Sequence, residues 1–256
     1  MYYINPDYPL FYQEQVAGQT LYEYSQDSDY ETTPEYEIIY KFNKLGYRCD
    51  EIENYTDDNF ILSFGCSYTE GVGIRQKHTW IHRLADRKGL PYFNAAKAGT
   101  GIDFQYYNAL FWAASDLPKP KVVIVQWPEK HRMSFGIKRD KHMEFVDMSG
   151  VPGRDGVWWS RRYIQEKSHL HMSVYGWIES FNHTWAALGV PVLNFSWDDD
   201  LEKELIRSKY KMWHLEREVL PVDKARDNAH PGPKYHMQTT RALEKIYDLP
   251  NFTYKV

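Results

Sequence analysis

The 256 residues include only two cysteines, Cys49 and Cys66, too few for a disulfide framework. Nowhere do apolar residues run long enough to cross a bilayer. The opening Met1-Tyr2-Tyr3-Ile4-Asn5-Pro6-Asp7 lacks the basic and apolar regions of a signal peptide. These three absences set the expectation of a cytoplasmic or virion-associated protein with no membrane partner. Net charge is −4, so no basic field argues for nucleic acid. The histidines lack tight metal-ligand spacing. His169 and His171 are two apart and would face different sides of a helix, while His142, His183, His214 and His236 stand singly. No metal and no cofactor is therefore expected. There is no internal repeat and no low-complexity segment.

Hydrophobic residues make up 43% of the chain, enough for a substantial core in one α/β domain carrying insertions. Aromatics reach 16%, with 21 Tyr and 9 Trp, and composition leaves them open as core, interface or sugar-stacking surface. Residues 1–59 read as an N-terminal arm with an accessory strand near 36–42, and 1–35 as an extension that docks on a partner or mediates self-assembly. From residue 60 to 256, strands and helices alternate. Strands are expected at 60–65, 91–96, 121–127 and 191–197, and helices at 78–88, 103–115, 163–188, 201–215 and 234–247. Glycines and prolines between 128 and 162 mark an insertion of loops with room for a hairpin. Such alternation predicts a three-layer α/β/α fold around a central parallel sheet.

The apolar run Phe60-Ile61-Leu62-Ser63-Phe64 breaks at Gly65 and passes into Cys66-Ser67-Tyr68-Thr69-Glu70-Gly71. A short apolar run bounded by turn residues has the form of a buried strand, and sites collect in the loop beyond its carboxyl end. Ser67 lies there. A serine hydroxyl attacks a carbonyl only when a base removes its proton, a task suited to histidine with an ordinary pKa of ~6.5. Near the far end stands Asp227-Asn228-Ala229-His230, followed by Pro231. Three residues of spacing lets Asp227 reach His230 and fix its tautomer, and Pro231 biases His230 onto a loop. The nucleophile elbow of α/β-hydrolases does not fit, since Thr69 stands where its second glycine would be.

Gly65 to Gly71 resembles the first block of the SGNH (GDSL-like) hydrolase family, and Asp227 to His230 its last. That resemblance implies a flavodoxin-like three-layer fold and a serine esterase, with Ser67 as nucleophile, His230 as base and Asp227 orienting it. It further implies an oxyanion hole formed by the backbone N–H of Ser67 and of Gly99, which follows Asn94 by five residues. The substrate it implies is an acyl ester, with a small O-acyl group on a carbohydrate favoured. The family's third block offers an asparagine amide to the oxyanion, whereas this chain reads Gln126-Trp127-Pro128-Glu129. Gln126 either substitutes for that amide or serves as a buried hydrogen-bonding residue. Cys66 replaces the aspartate of the first block and reads as a small buried residue. The piece Asn43-Lys44-Leu45-Gly46-Tyr47-Arg48 resembles segments upstream of the first block in some members, or is a plain edge loop. Short, aromatic-rich members resemble proteins carried by bacteriophages. A non-catalytic binding or virion assembly protein on the same scaffold is thus the alternative.

Overall fold

The computed structural model describes residues 3–4, 11–12, 18–23, 38–130, 132–139, 142–148, 167–198, 200–203 and 223–248. Four short strands come first, in two antiparallel pairs: β1 (Tyr3–Ile4) with β2 (Phe11–Tyr12), and β3 (Thr20–Glu23) with β4 (Ile38–Lys41). The main body then runs β5 (Ile61–Gly65), α1 (Ser67–Glu70), α2 (Trp80–Lys88), β6 (Tyr92–Asn94), α3 (Ile102–Ala113) and β7 (Val122–Trp127). An antiparallel hairpin of β8 (Met133–Arg139) and β9 (His142–Met148) follows, within the stretch expected to be an insertion. The chain continues as α4 (Lys167–Ala187), β10 (Val192–Ser196) and α5 (Pro233–Tyr247). Most of the proposed docking arm, and of the helix expected at 201–215, lies outside the described residues.

The central sheet is parallel, in the order β10-β7-β5-β6. By order of appearance this is 2-1-3-4, the flavodoxin-like arrangement, whose crevice opens at the carboxyl ends of the first and third strands. Here those strands are β5 and β7, and their ends are the paired Gly65 and Gln126.

Period-two alternation sorts the strand side chains to two faces. Leu62, Phe64, Val123 and Val125 pack with Trp112 of α3 and with Ile178, Phe181 and Trp185 of α4. Ile61, Val122, Ile124, Leu193 and Phe195 pack with Trp80, Ile81 and Leu84 of α2 and Leu243 of α5. Every residue of β5, β7 and β10 is buried, as strands covered on both faces require. The result is the three-layer α/β/α fold. Leu45, Tyr47, Cys49, Ile52 and Tyr55 join the first of these clusters. The segment 45–55 is therefore part of the domain core, not a loop on its edge.

The second helical layer is fastened by a buried histidine. His236 of α5 accepts a hydrogen bond at Nδ1 from the backbone N of Trp80, 3.1 Å away, at the first turn of α2. Burial, with smaller contributions from Arg83, Arg48 and His78, depresses its pKa to about 3. An unfolded chain takes up that proton near pH 6.5 and the folded one does not, so stability conferred by neutral His236 is complete above 6.5 and falls as pH drops toward 3. Urea unfolding from pH 7 to 4 should show this loss in the parent, and His236→Gln should flatten the slope. An equal slope in both proteins would rule out His236 as its source.

Candidate active site

Ser67 sits two residues past β5, at the first position of α1, and is buried at 4% exposure. A first helical position has no intrahelical acceptor for its N–H. The turn is tight. A Cβ on Gly65 would come within 2.2 Å of Thr69 Oγ1, which explains a glycine at that point. Burial pushes the Cys66 thiol pKa up, against smaller opposing influences led by Arg132. Cys66 is the small buried residue expected of it, and its thiol is neutral.

His230 and Asp227 lie on one loop before α5, and the ring Nδ1 bonds the Asp227 Oδ2. Asp227 Oδ1 accepts from the backbone N of both Ala229 and His230, each at 3.0 Å. Burial raises the Asp227 pKa, but these hydrogen bonds outweigh it and hold the carboxyl below its ordinary range. With Nδ1–H facing a carboxylate, the neutral ring presents Nε2 as an acceptor. The two side chains are 24% and 23% exposed, open enough to meet a substrate.

The loop is closed by Ala225 N donating to His230 O at 2.8 Å and by Gly232 N donating to Asp223 O at 3.0 Å. It docks on the segment leaving α1, where Arg226 N donates to Gly73 O at 3.1 Å. Gly73 has φ +75°, and a Cβ there would lie 2.7 Å from Ala225 Cβ and 3.2 Å from Asp227 Oδ1. Two blocks of sequence 160 residues apart thus meet through a glycine that tolerates no side chain. On the other side, His230 packs edge-to-face on Tyr68, the residue after Ser67, at 5.9 Å between ring centroids.

Gly99 lies in the loop between β6 and α3 with φ +82°. Gln126 is fully buried, and its amide is engaged on both sides. Thr69 Oγ1 and Trp80 Nε1 donate to its Oε1 at 2.7 and 3.1 Å, and its Nε2 donates to Tyr235 OH at 3.0 Å. This is the buried hydrogen-bonding role, tying α1, α2 and α5 to the end of β7.

Sequence reasoning missed an aromatic wall beside Ser67. Tyr68 stacks on Trp197 at 4.6 Å and meets Tyr235 edge-to-face at 6.1 Å. The Arg132 guanidinium lies 5.6 Å from the Trp197 ring centre, while its Nε pairs with Glu129 at 2.7 Å. Trp197 could have been found, because it stands just past the carboxyl end of a strand in a parallel sheet. The contact with Arg132 bridges distant segments and left no local signal. Among the described residues no cluster of His, Cys, Asp and Glu could hold a metal ion, and no helix is long and apolar enough to cross a membrane.

No family model and no curated protein matches the chain. Among solved structures it is similar to TesA at 14% identity, covering 72% of this chain and 95% of that one, with TM-score 0.44. A lipolytic protein of the G-D-S-L family from Desulfitobacterium hafniense DCB-2 gives 11% identity, coverage of 73% and 98%, and TM-score 0.45. The acetyl-xylooligosaccharide esterase Axe2 from Geobacillus stearmophilus, as a mutant, gives 10% identity, coverage of 79% and 99%, and TM-score 0.33.

Proposed function

We propose that the protein is a serine esterase that removes a small acyl group from a carbohydrate ester, with Ser67, His230 and Asp227 as its triad. The observation that carries this reading is the Asp227–His230 pair, whose loop is docked on the segment that follows Ser67. In this reading Ser67 Oγ attacks the ester carbonyl while His230 Nε2 takes the hydroxyl proton. The backbone N–H groups of Ser67 and Gly99 receive the oxyanion, and Gln126, committed to its buried partners, is left out of that role. Collapse of the tetrahedral intermediate breaks the ester C–O bond, and His230 delivers the proton to the leaving alcohol. Water, deprotonated by the same nitrogen, then cleaves the acyl-serine and restores the enzyme. Tyr68, Trp197 and Tyr235 gather aromatic side chains next to Ser67, residues of the kind that line sugar sites, and this supports a carbohydrate as the alcohol part. A panel of acetylated sugars set against longer-chain acyl esters tests the substrate. Faster turnover of the long chains would exclude the carbohydrate assignment.

Asp227 separates a catalytic from a structural reading of the pair. Its carboxyl is held below the ordinary range, so its contribution is present above that range and is lost only as pH falls through the lowered value. Asp227→Asn should retain the fold but let the amide favour the wrong imidazole tautomer, lowering kcat by about 10⁴-fold at neutral pH. Steady-state hydrolysis of an aryl acetate by the two proteins measures this. A variant within about threefold of the parent would remove Asp227 from the mechanism.

A further inference from the structure

Outside the triad, a buried carboxylate joins the two loops that would form the oxyanion hole. Glu70, at the last position of α1, is 6% exposed. Its Oε2 accepts from the backbone N of Ala98 at 2.5 Å. Ala98 immediately precedes Gly99, so the carboxylate of the Ser67 turn holds the peptide next to the second oxyanion donor.

The neighbouring residue Lys97 is 1% exposed. Its ammonium donates to Gly46 O and lies 5.1 Å from the Phe42 ring centre and 5.2 Å from that of Tyr47. Burial lowers its pKa, while the charge of Glu70 acts in the opposite direction. Beneath the two loops the hydrogen bonds close a ring. Lys97 N donates to Gly65 O at 3.0 Å, and Gly65 N donates to Gln105 Oε1 at 3.1 Å. Gln105 Nε2 donates to Thr100 Oγ1 at 2.8 Å, and Thr100 Oγ1 donates to Lys97 O at 2.7 Å. Residues 97, 98 and 100 are thus bound by backbone or side chain, and Gly99 is suspended between bound neighbours.

Building on the esterase reading, we propose that Glu70 is a positioning residue that sets the Gly99 N–H relative to Ser67. Oxyanion stabilisation depends on donors fixed before charge develops, so a loop free to drift loses rate and not ground-state binding. The side chain at 70 carries this role because it joins α1 itself to the peptide adjoining Gly99.

The test compares the parent, Glu70→Ala and Glu70→Gln as full-length proteins, with circular dichroism as a check on folding. Aryl acetate hydrolysis and fluorophosphonate labelling report the chemistry, and amide hydrogen exchange over residues 97–101 reports the loop. Glu70→Ala should lower kcat by about 100-fold, the scale of one lost oxyanion donor, with KM within about twofold and faster exchange over 97–101. Glu70→Gln retains an oxygen that can accept from Ala98 N and should recover most of the lost rate and protection. If the parent is active and labelled, and a folded Glu70→Ala matches it in kcat or in exchange, the positioning role is overturned while the esterase reading stands. Should Glu70→Ala not fold, Glu70→Met, which keeps the volume and removes the acceptor, takes its place, and a folded Met variant with unaltered kcat overturns the proposal. A parent that neither hydrolyses the ester nor takes the label overturns the esterase reading and the role of Glu70 with it.

Discussion

Ser67→Ala should abolish fluorophosphonate labelling and reduce ester hydrolysis to the level left by binding and oxyanion donors alone, a loss on the order of 10⁴-fold or more. The substitution removes one oxygen at a position 4% exposed, in a turn set by Gly65 and by backbone bonds from Gly71 N and Val72 N to Ser67 O. The fold should survive it, with a change of no more than about 1 kcal/mol. His230→Ala should cost nearly as much, and the double variant scarcely more than either, because residues acting as one unit are strongly non-additive. Additive losses would mean that the two side chains do not share a mechanism. A Ser67→Ala protein that folds and hydrolyses acetate esters at the parental rate would end the esterase reading. No labelling of the parent would turn attention to the assembly alternative.

The largest effect on stability is expected from Arg48. Its side chain is 1% exposed and donates to four backbone carbonyls: Glu70 O at 3.3 Å, Gly71 O at 2.6 Å, Ile39 O at 3.2 Å and Ile74 O at 2.9 Å. The guanidinium also lies 4.1 Å from the centre of the Tyr40 ring. Truncation to alanine leaves buried acceptors without a donor and opens a cavity, so Arg48→Ala should cost about 4 kcal/mol, a large share of a domain's usual 5–15 kcal/mol. Arg48→Lys should recover only part, since an ammonium lacks the planar fork that spans several carbonyls. The control is Arg87→Ala. It removes a surface pair with Glu244 whose side chains are 37% and 31% exposed, a change expected to fall within about 0.5 kcal/mol. Urea midpoints that fall equally for both variants would contradict the clamp.

The fold was legible because strands covered on both faces are written as apolar runs. Residues 121–127 carried the signal most plainly, and the strand observed is Val122–Trp127. Helix boundaries followed Thr79, whose hydroxyl caps α2 by accepting from His82 N at 3.3 Å, and Gly89, which ends it in the left-handed region. In the site, the Asp227–His230 contact could be anticipated because it spans three residues. Arg48 was harder. Asn43 Oδ1 accepts from the backbone N of Leu45 and Tyr47, at 3.0 and 2.9 Å, folding a turn that sends Arg48 into the core. A charged residue after a polar turn normally faces water, so its burial was hidden until its acceptors, 9 to 26 residues away, were seen. The contacts of Glu70 with Ala98 and of Gln126 with Tyr235 join segments brought together only by the sheet, and a one-dimensional pattern does not carry them.

The order of strands in the sheet also bears on how the chain is assembled as it is synthesised. β5 is made first and pairs with β6, β7 then adds to the free side of β5, and β10 adds to β7. Each arriving strand meets an open edge, and none has to be inserted between two partners already joined. Asp227 and His230 come later still, 160 and 163 residues after Ser67. During biosynthesis Ser67 is therefore in place well before Asp227 and His230, and under the proposed mechanism a nascent or truncated chain carries an unarmed nucleophile until the final helix docks.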